Sequence, residues 1–452
     1  MTDATTVSAD AALQKKSGSL FEVGERTKRR QAQERRFRMM GLAAVTFGII
    51  ALFGLLGSIL SNGVSSFRQT YITLDIYLDP AKLDKAGNRN PDEMAKVTTF
   101  GYAPLIASAL VEQIKKNDIS VEGLSDKDAG DIISKEAPAS VRNYVLAHPS
   151  KVGETVQFDI LADGRIDGYY KGRVTMESAQ LDRNVNPEEL VLADKLKEAG
   201  VLRTKFNTAF FTAPDASDTR PEAAGLGVAI IGSTYMMIIV LALSLPIGVA
   251  ASIYLEEFAP QNRLTDVIEV NIANLAAVPS IVFGILGLAV FINWAGLPQS
   301  APVVGGLVLT LMTLPTIIIA TRAALKAVPP SIREAALGVG ASKMQTIFHH
   351  VLPLAAPGIL TGAIIGLAQA LGETAPLLLI GMVAFVREVP GPPPEGFFDP
   401  AAALPVQVYN WTTRGDPAFV ERASGAIIVL LMFLAVMNIT AIILRRRFER
   451  RW

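Results

Sequence analysis

The chain has 452 residues, of which 50% are hydrophobic and only 19% charged, and its mean hydropathy is +0.36. That is too apolar for an ordinary soluble protein and too polar for a protein made of membrane spans alone, so a mixed architecture follows. Its 42 basic and 42 acidic residues cancel, leaving no overall field to draw nucleic acid, and the lack of cysteine excludes disulfides, zinc-thiolate sites and cysteine nucleophiles.

A membrane helix needs about 20 apolar residues. Segments near residues 39–60, 225–255, 270–294, 302–321, 355–385 and 423–444 meet that requirement, giving about six spans. Residues 1–38 form a basic leader with Arg26, Lys28, Arg29, Arg30, Arg35, Arg36 and Arg38. The first span, residues 39–64, is too long and its leader too extended for a cleaved signal peptide, so an uncleaved anchor is expected. The tail after the last span carries Arg445, Arg446, Arg447, Arg450 and Arg451. Because Lys and Arg gather on the cytoplasmic side, both termini are expected in the cytoplasm, with residues 65–221 and the loop 386–422 outside. A multi-pass protein of a bacterial inner membrane fits this layout.

Residues 65–221 carry most of the acidic side chains and read as a mixed α/β extracytoplasmic domain. The alternation over 71–78 predicts a half-buried strand, and 155–161 with 165–171 around Asp163-Gly164 predicts a hairpin. Helical patterns fill 102–116, 126–135 and 187–198. Nothing in the domain clusters like an active site, so a spacer or partner-docking role is expected.

Residues 222–452 form the membrane core. Asn271, Asn274, Pro279 and Ser280 give the third span polar and helix-breaking character, suited either to a water-lined interior or to close helix packing. Arg322 ends the fourth span; it either snorkels to the interface or faces a pathway, where it could meet an anion or Glu373. Pro329-Pro330 stops that span. Ser331 with Glu334 three residues on predicts a capping box that starts a short helix, which Gly338 and Gly340 end. Ser342 with Gln345 repeats the box for a second short helix that Pro353 closes. Residues 331–353 are therefore expected to be a compact helix-turn-helix that docks a partner. His349 and His350 lie on it and are expected to pack rather than bind a metal. In the fifth span Glu373 is the lone charge between Ala355 and Val386, and a buried ionisable group there is a functional-site candidate with Gln369 and Thr374 beside it. No phosphate-binding G-x-x-x-x-G-K-[ST] motif occurs, so any ATP-driven step needs a separate ATPase.

The run Glu334-Ala335-Ala336, three residues, Gly340, then Leu352-Pro353 after a variable stretch resembles the EAA loop of ABC-importer permeases, with His350 where that pattern has an aliphatic residue. Leu255-Glu-Glu-Phe, Ala277-Val-Pro-Ser-Ile-Val-Phe-Gly284, Gly372-Glu-Thr-Ala-Pro-Leu377 and Leu404-Pro-Val-Gln-Val-Tyr-Asn-Trp411 widen the resemblance to the PstA-type permeases of bacterial phosphate importers, from about residue 224 to the C-terminus. The family often carries an arginine where Gln369 stands. The resemblance implies a mostly α-helical type I permease core, here in an extended N-terminal form. It also implies a PstC-type permease, a PstB-type ATPase dimer and a PstS-type periplasmic phosphate-binding protein as partners, with membrane lipid around the spans. Glu334, Ala335, Ala336, Gly340, Leu352 and Pro353 would form the coupling surface for the ATPase. Arg322, Gln369, Glu373 and Thr374 would be pathway candidates. No cofactor is expected in this chain; ATP and Mg²⁺ would belong to the ATPase. The alternatives are an ion-coupled secondary anion carrier with Glu373 as its proton site, an importer permease for another oxyanion, or a sensory membrane protein. The short tails argue against the last.

Overall fold

Residues 39–62 contain no charge, and in the computed structural model, which describes residues 25–383 and 385–448, they lie within one helix, α1 (Glu25–Gly63). The first 24 residues of the leader and Arg450 and Arg451 of the tail lie outside the described residues. The chain divides into a unit of residues 1–58 and a unit of residues 59–452, so residues 65–221 and the helices after them belong together.

The domain over residues 65–221 is built on three antiparallel strands, β1 (Arg68–Tyr77), β2 (Thr155–Leu161) and β3 (Leu202–Phe206), in the order β2-β1-β3. The expected alternation holds in β1: Ile72, Leu74 and Ile76 are wholly buried, with Tyr71 opposite Leu161 and Ile72 opposite Leu202. Helices α2 (Thr99–Lys116), α3 (Ala137–Ala147), α4 (Gly164–Tyr170) and α5 (Pro187–Glu198) add Tyr102, Leu110, Val141, Ile166 and Leu190 to the same core. Two expectations fail here. Residues 165–171 are not a strand, because the Asp163 carboxylate accepts from the Arg165 amide at 2.8 Å and starts α4, leaving β1 as the neighbour of β2. The helix expected over 126–135 stops at Ala129 and gives way to a 3₁₀ turn at Gly130–Ile132.

After β3 the chain does not leave this α/β domain through a free linker. Phe210, Ala216, Ala224 and Leu226 share a second core with Trp411 and Phe419, so the stretch into the membrane helices is anchored at both ends, while Asp218 and Thr219 between them are exposed.

Beyond residue 226 the α-helices are α6 (Gly227–Ile253), α7 (Arg263–Ala276), α8 (Ser280–Leu286), α9 (Pro302–Lys326), α10 (Pro330–Gly338), α11 (Lys343–Thr346), α12 (Leu352–Gly372), α13 (Ala375–Leu379), α14 (Leu404–Thr413) and α15 (Pro417–Phe448). Among the described residues, five helices are long and apolar enough to cross a membrane, and the pair Arg263–Ala276 with Ser280–Trp294 makes a sixth if counted as one span. That pair is bent by 103°, so the third expected span is not a straight helix. Pro279 lacks an amide and disfavours helical backbone at Val278, which breaks the span between α7 and α8. The fifth expected span is broken too. The Pro376 ring would strike the carbonyl of Gly372 in a continuous helix, and α12 ends at Gly372.

Small residues let the core helices approach closely. A Cβ on Gly248 of α6 would stand 2.7 Å from Ile317 Cγ2 of α9, and a Cβ on Gly358 of α12 would stand 2.7 Å from Ala324 Cβ. In lipid such contacts, rather than hydrophobic exclusion, hold helices together.

Candidate functional site

The loop between α9 and α12 keeps its expected outline but starts and ends differently. Pro330 occupies the first turn of α10, where its fixed φ and missing amide cost nothing, and Pro329 precedes it without a side-chain cap. The Ser331–Glu334 capping box is therefore absent: Ser331 already lies inside the helix. Gly340, at φ +91°, makes the left-handed turn between α10 and α11 that a residue with a Cβ resists. The Ser342–Gln345 box is present, with Gln345 N to Ser342 Oγ at 3.2 Å and Ser342 N to Gln345 Oε1 at 2.9 Å. Pro353 does not close this second helix. A π-helical turn over Ile347–Val351 carries α11 into α12, and this wider turn accommodates the proline. Glu334, Ala335 and Gly340 are exposed, Ala336 is buried, and Leu352 and Pro353 are half-buried. Leu337, Val339 and Met344 add exposed apolar surface to the same loop. His349 and His350 are exposed, so they do not serve as packing residues.

A cluster of charges ties this loop to the spans. Glu256 and Glu257 lie in a π-helical turn, Tyr254–Phe258, at the end of α6. Arg333 of α10 donates to Glu257 Oε1 through Nη2 at 2.7 Å and Nε at 3.2 Å. It also donates to the carbonyls of Leu325 at 2.9 Å and Val328 at 2.8 Å, capping the C-terminal end of α9 where a cation is favoured. Arg322 of α9 is not a free cation. Its Nη2 stands 2.6 Å from Glu269 of α7 and its Nε 3.3 Å from Glu256, which Lys326 approaches at 3.5 Å. The structure thus pairs Arg322 with these two carboxylates and not with Glu373. Sequence reading missed Glu256, Glu257, Glu269 and Arg333 as a set. The available signal was an acidic doublet at the C-terminal end of a span, followed by an arginine one residue before Glu334.

The two broken spans meet. A Cβ on Gly284 of α8 would stand 2.7 Å from the Cα of Pro376, so the segments after each break pack directly. Glu373 sits at the break in extended backbone, φ −77° and ψ 132°, with Thr374 beside it. Both are half-buried, while Gln369 is exposed on α12. Among the described residues no side chain donates to the Glu373 carboxylate. A half-buried acid at a helix break, next to non-helical backbone, is an arrangement found where a membrane protein lines a cavity. Asn271 is exposed and satisfied by its own helix, donating to Val267 O at 2.7 Å.

At the other end of the core, Asp167 of α4 accepts from the Thr70 amide at 3.0 Å and pairs with Lys171 at 2.6 Å. Lys171 and Arg173 reach Glu421 of α15 at 3.0 and 2.5 Å. Trp411 and Arg414 converge on Asp215 at 2.8 and 2.5 Å. Beside this junction is a cavity of about 420 Å³ whose lining includes Asp163, Glu189 and Glu222. Burial pushes the Glu222 carboxyl up to about 7, against the hydrogen bond from Ser134, and burial likewise pushes Glu189 up to about 7. Asp163 is raised for the same reason.

Comparison with known proteins places these features. Residues 244–452 match the family described as binding-protein-dependent transport system inner membrane component, and residues 24–180 match a domain of unknown function, DUF3333. The chain is 34% identical over 230 residues to a probable ABC transporter permease, YqgI, of Bacillus subtilis, covering 48% of this chain and 78% of that protein. It is 32% identical over 229 residues to a phosphate transport system permease, PstA 1, of Mycobacterium tuberculosis, covering 51% and 73%. Among solved structures, the inward-facing MetNI methionine ABC transporter aligns at 17% identity and a TM-score of 0.38, over 50% of this chain and 95% of that one. The chain therefore belongs to the binding-protein-dependent ABC permeases, in the PstA-type branch with an added N-terminal domain, and is a multi-pass transport subunit of an importer that works with an ATPase and a substrate-binding protein.

Proposed function

We propose that this chain forms half of the translocation pathway of an ATP-driven importer of inorganic phosphate. The observation that carries the reading is the loop of residues 330–353, whose exposed apolar side chains and Glu334 are tied through Arg333 to the ends of α6 and α9. That loop is a handle on the spans, and the chain has no nucleotide-binding motif of its own to pull it. A PstB-type ATPase dimer would supply ATP and Mg²⁺, a PstC-type permease the other half of the pathway, and a PstS-type protein would deliver the anion. Phosphate is favoured over other oxyanions by the phosphate transport permeases among the relatives. The chain would sit in a bacterial inner membrane with both termini in the cytoplasm, as its flanking Arg and Lys residues favour.

In this reading Glu334, Ala335, Ala336, Gly340, Leu352 and Pro353 shape the contact with the ATPase, and rigid-body displacement of the loop moves the spans. Glu373 and Thr374 line the break beside the pathway, with Gln369 nearby on α12. A carboxylate repels an anion, so Glu373 holds a cation from the partner permease rather than phosphate itself. Co-expression with the three partner subunits and reconstitution in vesicles tests the whole. Phosphate uptake that requires ATP supports it; uptake driven by an ion gradient without the ATPase would replace it with a secondary carrier.

A further inference from the structure

The charge cluster that joins the C-terminal ends of α6 and α9 to α7 and α10 is made of paired groups of unequal exposure. Glu257 is 9% and Arg333 23% exposed, whereas Lys326 at the rim is 59% exposed. Arg333 is the side chain that joins three elements at once. Its guanidinium is fixed by a carboxylate on the π-helical turn that continues α6 and by two carbonyls at the end of α9, while its own backbone belongs to α10. A planar fork held by several bonds resists rotation far more than a single ion pair does. Arg322, Glu256 and Glu269 then link α9, α6 and α7, the last of these lying just before the bend.

The geometry points to Arg333 and Glu257 as the positioning pair that converts displacement of α10 into joint movement of α6 and α9. Arg322 with Glu256 and Glu269 extends that movement to the broken span. The inference rests on the transport reading above and adds the residues through which force passes. None of them touches the transported anion; they act by holding α10 to the spans. A short helix with most of its side chains outside the protein has little apolar contact to hold it, since among its described residues Ala336 alone is buried. Without the Arg333 bonds α10 would follow the ATPase while the spans lagged.

The test uses the full complex in membranes and two readouts. In the first, spin labels at Leu337→Cys and Tyr254→Cys, both exposed positions in a chain without native cysteine, report the distance between α10 and the end of α6. The expected result is one narrow distribution in the parent and a broadened one in Arg333→Gln and in Glu257→Gln, with Arg333→Lys between them. In the second, both Gln variants should still assemble and hydrolyse ATP, while phosphate imported per ATP falls by about tenfold. An unchanged distance distribution overturns the inference whatever the transported anion. Broadening with an unchanged ratio, or hydrolysis and uptake falling in proportion, overturns the role in coupling and leaves these residues as ordinary stabilising contacts. A parent complex that imports no phosphate would refute the functional reading, and the distance readout would still decide the pair.

Discussion

Arg422 of α15 donates to the main-chain oxygens of Glu222 and Ala224, each at 2.7 Å, from a side chain only 3% exposed. A third bond reaches Gln69 of β1 at 3.0 Å. One guanidinium therefore joins the first strand of the α/β domain, the stretch leading into α6, and the last helix. Arg422→Met leaves those acceptors unpaired beside Glu421 and Asp167, and breaking a buried ionic group of this kind costs about 3 to 5 kcal/mol. The variant should unfold at markedly lower temperature in detergent; a loss below about 1 kcal/mol would show the junction to be redundant.

Glu222 makes stability depend on pH. Its carboxyl is lifted from an ordinary value of 4.5 to about 7, so the folded chain holds this proton more tightly than the unfolded chain. The resulting contribution is full below about pH 4.5 and is lost as pH rises through about 7. Glu222→Gln keeps the shape and removes the titration. Melting temperatures should show the variant more stable than the parent at about pH 8 and less sensitive between about pH 5 and pH 8. Parallel pH profiles would refute the assignment.

Because Arg322 pairs with Glu256 and Glu269, its loss and the loss of Glu373 should act independently. In phosphate uptake, Glu373→Gln and Arg322→Gln should each lower the rate, and the double variant should match the product of the two effects within about 0.5 kcal/mol. Strong non-additivity would mean that the two meet in another state of the transport cycle.

Two loop variants probe docking. Glu334→Lys reverses the charge on the exposed face of α10, and Gly340→Val places a β-branched residue at φ +91°, a left-handed conformation that costs roughly 1 to 2 kcal/mol. Both chains should insert normally yet fail to retain the ATPase and to import phosphate. Wild-type uptake in either would remove the loop from the coupling path.

Topology has a direct check. A reporter fused after Asp163 should be active only when periplasmic reporters are, and one fused after Trp452 only when cytoplasmic reporters are. The reverse pattern would overturn the orientation drawn from the flanking Lys and Arg residues.

Much of this protein is written locally in its chain. Long uncharged runs dictate spans because an unpaired backbone group in lipid is costly, which is why α1, α6, α9 and α15 stand where the hydropathy of the sequence puts them. The Ser342–Gln345 box, the left-handed Gly340 and the alternation of β1 depend on neighbours a few residues away, and they too were legible. What only the tertiary structure decided involves partners distant in sequence. Asp163-Gly164 starts a helix through a local cap, and the partner that β2 takes instead is β1, about 80 residues earlier in the chain. Whether Pro279, Pro353 and Pro376 end, bend or merely widen a helix depended on the packing around each: α8 and α13 meet at two true breaks, while a π-helical turn absorbs Pro353. Arg322 could have met Glu373 on sequence grounds, but its length and the crossing of α6, α7 and α9 deliver it to Glu256 and Glu269. An ion pair is a statement about distance in space, and no local pattern in the chain encodes that distance.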